Sequence, residues 1–217
     1  MQRRVKLGLA IGGGGTALAA MLLLPGQLAL GADHFDSPSR TDPFVAGRTT
    51  RADIAADIAD VFAFYDATNV YFAVTFHNVG SYDRDLVHGL NISTTAPATS
   101  ADIAIRWRYG PATNGTGSGV SIENLPGVNG PLVGPVESIL SKDGVRAYAG
   151  MRDDPFFFDL QGFRETRSMN TLRFVNTRNF FRNANGLVLI IEVPRSRLGN
   201  GPLDINATTA RFGGLLS

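Results

Sequence analysis

Two groups of aspartates carry spacings that could do chemistry. Asp53, Asp57 and Asp60 recur at intervals of four and three, and Asp153, Asp154 and Asp159 surround three consecutive phenylalanines in "AGMRDDPFFFDLQGF". On a helical turn or two, the first spacing puts three like charges on one side, which costs a few tenths of a kcal/mol per pair. Something positive should answer them. Arg48 and Arg51 are near in sequence, and Arg152 could arrive through the fold. A hard cation such as Ca²⁺ would also serve, since it takes roughly six to eight oxygens from carboxylates and carbonyls. Asp57, Asp60, Asp153 and Asp154 are therefore the candidate metal ligands, with Ca²⁺ the one cofactor to test; no EF-hand loop is present.

The competing reading of the second group is structural. Adjacent side chains on an extended segment point to opposite faces, so Asp153 and Asp154 cannot both reach one small target. One of them can accept backbone N–H groups at a turn, because Asp before Pro favours turn initiation. Arg152 and Asp159 are expected in ion pairs guarding a buried phenylalanine strand that Asp159 ends. The same acids could instead supply the two carboxylates of a glycoside hydrolase, Asp153 or Asp154 acting with Asp57 or Asp60. Asp83 and Asp85 in "YDRDLV" read as a solvated loop.

Other chemistries find less support. The chain has no G-x-S-x-G elbow, no H-E-x-x-H, no P-loop and no cysteine nucleophile. The Gly-x-Gly of "NGTGSGV" lacks a strand-to-helix context and implies no dinucleotide. His34 would stand third in a chain beginning Ala32-Asp33-His34, where a free amine, two amides and an imidazole can wrap Cu²⁺ or Ni²⁺ in a square plane; the plainer reading is a cap on the first turn. His77 and His88 read as surface or packed residues. Trp107 could be a sugar-stacking platform, but its place in an apolar stripe makes it core. Arg164, Arg167, Arg173, Arg178 and Arg182 read as a solvated, ion-paired face rather than a polyanion site.

The elements that must position these residues begin after an export signal. Arg3, Arg4 and Lys6 precede an apolar run from Leu7 to Leu24, ended by Pro25-Gly26 and followed by the small residues Ala29, Gly31 and Ala32. That order is the grammar of a secretory signal peptide, with cleavage after Gly31. The alternative is an uncleaved anchor, since a span needs about 20 apolar residues, but four successive glycines weaken it. The Arg3-Arg4 pair suits twin-arginine export poorly. The expected organisation is a signal peptide over 1–31 and one domain over 32–217, destined for the periplasm or the exterior. Without cysteine no disulfide staples it.

The whole chain of 217 residues carries 20 Lys+Arg against 19 Asp+Glu, but three of those basic residues lie in the signal, leaving −2 on the mature part. Net charge therefore gives no reason to expect a nucleic-acid partner.

Period-two alternation dominates the domain. Val70, Phe72, Val74 and Phe76 share one strand face, as do Ile103, Ile105, Trp107 and Tyr109. "SKDG" offers Asp143-Gly144 as a hairpin turn before "VRAYAG". "GLVLIIEVP", Gly186 to Pro194, reads as a central strand covered on both faces and stopped by Pro194, and "LDINATTARF" as a last strand. The one helical candidate is "RADIAADIAD", and Pro111 to Pro135 reads as a long loop. Together these predict an all-β, antiparallel sandwich or jelly roll with few short helices.

"ADHFDSP", "DIAADIADVFAFYD", "AGMRDDPFFFDLQGF", "NGLVLIIEVPRSRL" and "LDINATTAR" follow one another in that order. In these motifs the chain resembles a bacterial exported domain-of-unknown-function family, numbered forty-three thirty-one. The resemblance implies no activity, because the family is uncharacterised, and this chain is more compact than the longer members. The function expected is an exported binding or structural module with an Asp-rich site and a glycan or other envelope component as partner. A carboxylate-dependent envelope hydrolase is the alternative, and a purely structural assembly role the third. After cleavage it should not be an integral membrane protein.

Overall fold

The computed structural model describes residues 5–6, 54–76, 81–95, 100–183 and 185–211. Within them the chain forms two antiparallel sheets and one α-helix, the sandwich expected. The strands are β1 (Val5–Lys6), β2 (Ile58–Tyr65), β3 (Asn69–Phe76), β4 (Leu86–Ser93), β5 (Ile103–Pro111), β6 (Ser118–Glu123), β7 (Leu132–Pro135), β8 (Ile139–Lys142), β9 (Val145–Asp153), β10 (Asn185–Pro194) and β11 (Asp204–Arg211). One sheet runs β1-β11-β4-β5-β6-β7 and the other β2-β3-β10-β9-β8. The two-residue β1, inside the segment expected to be removed on export, pairs only with Ile205 and Asp204 of β11.

Alternation supplies the two inner faces. Phe72, Val74 and Phe76 of β3 and Leu189 and Ile191 of β10 meet Leu90, Ile92, Ile105, Trp107 and Ile122 of the opposite sheet, all essentially inaccessible to solvent. Burying each such side chain contributes roughly 1.5–3 kcal/mol, and with no disulfide this interlocking core carries the fold. β10 is central in its sheet, as expected, but only partly covered on its outer face: Val188 is buried while Ile190 is exposed.

Three expectations are corrected. The described part of "RADIAADIAD" is not an α-helix: Ile54–Ala56 make one 3₁₀ turn and strand begins at Ile58. A β-bulge between Ile58 and Val61 absorbs one residue, so both side chains turn toward the core despite a spacing of three. That spacing imitated a helix. The stretch from Pro111 to Pro135 is not a long loop but two hairpin strands, β6 and β7. Its asparagines, with Gly115, Gly117, Gly127 and Gly130, sit at the bends, with left-handed backbone at Asn124 and Gly127 among others.

The third correction concerns the phenylalanine block. Residues 154–159 are irregular rather than a strand, and Asp159 starts helix α1 (Leu160–Met169). The Asp159 carboxylate accepts the Gly162 N–H at 2.8 Å as its N-cap. Asn170 closes the other end in the left-handed region at φ 50°. The helix hid from the apolar pattern because it buries only Gly162.

Candidate functional site

The strand register decides how the expected site residues relate. Ile58, Phe76, Leu187 and Met151 form one row across β2, β3, β10 and β9. Asp57 and Asp60 lie at the start of β2, and Asp153 and Asp154 at the matching end of β9. Three strand spacings separate the two groups, about 14 Å of backbone at about 4.8 Å per step. One cation cannot be shared across that gap.

Three of the four acids have partners of their own. Asp60 is buried beside Thr75, whose Oγ1 accepts the Asp60 N–H at 3.0 Å. Asp154 accepts the Phe156 N–H at 2.9 Å, the turn role expected of an Asp before Pro. Asp57 has a partner as well. Among the described residues no three His, Asp or Glu side chains gather as a group able to hold a metal. Asp53, His34 and His77, with Arg48 and Arg51, lie outside the described residues.

Arg152 and Asp159 do form ion pairs, though not with each other. Arg178 meets Asp159 at 2.9 Å, and Arg152 meets Glu137 at 3.0 Å. Desolvation alone would raise the Asp159 carboxyl, but the Gly162 and Val175 N–H groups and Arg178 bring it below its usual value.

Glu137 is a residue that pattern reading missed. It stands in the turn between β7 and β8 at φ 62°, a left-handed conformation rare for glutamate. Its carboxylate accepts the Tyr82 hydroxyl at 2.6 Å, the Met151 N–H at 2.6 Å, the Arg152 guanidinium at 3.0 Å and the Tyr148 hydroxyl. Gly150 makes the room: a Cβ there would come within 2.7 Å of the Glu137 carboxylate. Desolvation pushes this acid up, yet the donors outweigh it and hold it near pKa 2. Desolvation and the carboxylate together raise Tyr148 to about 12 and Tyr82 well above its usual value. A carboxylate with four donors is a poor base and a good clasp, and it ties the β7–β8 turn to β9. Nothing in "PVESIL" announces it, since the donors come from strand β9 and from the loop at Tyr82.

A second surface has the character of a binding face. Phe62, Ala73, Ile190, Tyr148 and Ile139 form an apolar row across all five strands of the β2–β8 sheet. It lies on the face away from the core, where Ile139 is 62% exposed. Phe62 stacks on Phe64 with centroids 6.3 Å apart. Phe64 also borders a cleft of about 150 Å³ at the mouth between β2 and β11. Apolar Ala63, Val70, Leu198 and Ile205 help line it, together with Phe64, Tyr65, Arg195 and Asn200. The Arg195 guanidinium lies 4.9 Å above the Tyr65 ring. The β2–β3 hairpin holding these rings is fixed by Asp66, whose carboxylate accepts the Asn69 and Thr68 N–H groups and the Tyr71 hydroxyl, each at 2.7 Å. Those bonds, from Asn69, Tyr71 and Thr68, draw its pKa far below the usual carboxylate range.

No family model, curated protein or solved structure matches this chain.

Trp107 and His88 belong to the core. Trp107 is 1% exposed and is no sugar platform. His88, opposite it on β4, stacks on Trp107 at 5.3 Å and meets Phe76 edge-on at 4.4 Å. Neither ring nitrogen of His88 finds a protein hydrogen-bond partner. Burial lowers its pKa to about 4, although Asp83 pulls the other way.

Proposed function

We propose that this protein is an exported binding module whose ligand is an extended glycan lying over the Phe62–Phe64–Tyr65 edge. One observation carries the reading: Phe64 and Tyr65, neighbours on edge strand β2, are 54% and 47% exposed and flank a cleft furnished with Arg195 and Asn200. Both rings border the cleft, and Phe64 also stacks on Phe62, which carries the aromatic surface on to the flat sheet face. Aromatic rings offer apolar area at low entropic cost, which suits the apolar face of a sugar ring. The guanidinium and amide supply donors for its hydroxyls, and a few polar groups within an apolar cleft are the usual form of a recognition site. Export is supported by the order of charged, apolar and small residues before Ala32. No helix among the described residues is long and apolar enough to cross a membrane.

The test is retention of the exported protein on insoluble polysaccharides, with peptidoglycan, chitin and cellulose as the probes. The wild type should be retained on at least one. Phe64→Ala and Tyr65→Ala should each weaken that retention about ten-fold, a plausible cost for losing one stacked ring, with the melting temperature nearly unchanged. Retention on none of the three, or equal retention of both variants, rejects the reading.

A further inference from the structure

The segment from Pro155 to Asn183, between β9 and β10, has a character of its own. It holds seven of the chain's 14 phenylalanines. Some of them pack on one another: Phe156 on Phe158 at 6.0 Å and on Phe181 at 5.7 Å, and Phe158 on Phe163 at 5.5 Å. This small aromatic centre leaves other apolar groups outside. Leu172 is 69% exposed, Met169 58%, Phe180 52%, Phe157 51% and Val175 40%. Isolated apolar side chains on a surface are ordinary, but a concentration of them marks an interaction site.

Charge says what kind. The segment has five arginines and two acids, and a single arginine answers both acids: Arg178 lies 2.9 Å from Asp159 and 3.7 Å from Glu165. Arg164, Arg167, Arg173 and Arg182 are exposed and have no acidic partner among the described residues. The ion-paired face expected from sequence is therefore paired at one arginine of five. The segment carries +3, while the rest of the chain from Ala32 onward carries −5. Arg167 and Arg173 flank the tip where Met169 and Leu172 project on either side of the left-handed Asn170.

We propose that this lobe docks the protein on an anionic phospholipid bilayer. Met169 and Leu172 enter the boundary between headgroups and acyl chains, and the four arginines meet lipid phosphates. Exposed apolar side chains at a turn need no complementary pocket if the partner is fluid, and basic residues beside them add attraction to anionic lipid. Guanidinium groups match phosphate geometry. Lobe-to-lobe contact between two copies is disfavoured, because it would oppose one +3 surface to another. The proposal uses no residue of the glycan face, so either can fail without the other.

The experiment is co-sedimentation of the protein recovered after export with vesicles of phosphatidylcholine alone and of phosphatidylcholine mixed with phosphatidylglycerol. Binding is expected only to the mixed vesicles and should weaken as salt rises. Pairing Met169→Ser with Leu172→Ser should cut that binding about ten-fold, and so should Arg167→Gln with Arg173→Gln. These positions are exposed, so both pairs should keep the wild-type melting temperature, and either suffices if the other destabilises the fold. Equal binding to both vesicle types, no binding to either, or unaltered binding by a well-folded pair overturns the proposal. So does release of bound protein by inorganic phosphate alone at constant ionic strength, or a concentration-dependent dimer that the serine pair abolishes.

Discussion

Two polar groups sit about as differently as a sandwich allows. Glu137, at the rim, is clasped by two hydroxyls, a backbone N–H and a guanidinium although its side chain is 44% exposed. His88, in the core, is 1% exposed and its ring nitrogens have no protein partner. A continuous aromatic path joins them: Tyr82 touches Glu137 and lies 5.1 Å from Tyr109, whose ring is 5.7 Å from His88. The environments move the two pKa values downward for opposite reasons. At Glu137 the charged form is favoured by its donors, whereas at His88 it is disfavoured by burial. The rim thus stores a charge and the core refuses one, and acid should separate them.

The largest effect belongs to His88. Its pKa falls from 6.5 in the unfolded chain to about 4 in the fold, so between those values the unfolded state binds the extra proton. Stability is therefore full above about pH 6.5, declines as the pH falls toward 4, and levels off below. The gap between 6.5 and about 4 corresponds to about 3 kcal/mol. Urea titrations across this window should show that loss, and His88→Phe, which keeps a ring beside Trp107, should remove most of it. A wild-type decline that survives in the variant places the sensitive group elsewhere.

This contrast also shows what could be read before the fold was known. Strands β3 and β5 were legible from the alternation of their apolar residues, as with Phe72, Val74 and Phe76, and β10 from its unbroken apolar run. The Asp143-Gly144 turn was legible because it needs left-handed backbone at both positions, here φ 50° and 78°. Asp154 was legible as a turn residue. The bulge at Asp60 was not, because an inserted residue makes strand spacing resemble helical spacing. Nor was the Glu137 clasp, whose members come from three separate stretches, the loop at Tyr82, the turn at Glu137 and strand β9, and meet only in the fold. Pattern reading finds groups that neighbours in sequence position; it misses those assembled by pairing.

Glu137→Gln gives the next largest effect. The amide keeps the shape but brings two donors into a pocket already filled with donors, so at least one hydroxyl loses its acceptor. The expected cost is about 1–2 kcal/mol at neutral pH, tempered by the exposure of the site. The pH dependence sharpens the comparison. The native carboxyl near 2 lies below the 4.5 of an unperturbed glutamate, so its contribution is present above about pH 4.5 and lost as the pH falls toward 2. Gln should erase that lower window and leave the His88 window intact. If both windows vanish together, the aromatic path couples the two groups and they are one site.

The smallest effect is expected from removing divalent cations. At the rim the Glu137 charge is already answered by O–H and N–H donors and by Arg152, while the Asp57–Asp60 and Asp153–Asp154 groups lie some 14 Å apart across the sheet. An ion would have to settle on one group alone, and at Asp60 it would compete with a site already packed against Thr75. Melting with and without a chelator should therefore give midpoints within about 1 °C, since a binding energy of 1 kcal/mol would move them by about 2–4 °C in a domain of this size. A larger drop on chelation would show that a cation holds one of these acidic groups, and the rim would then depend on an ion as well as on its own donors.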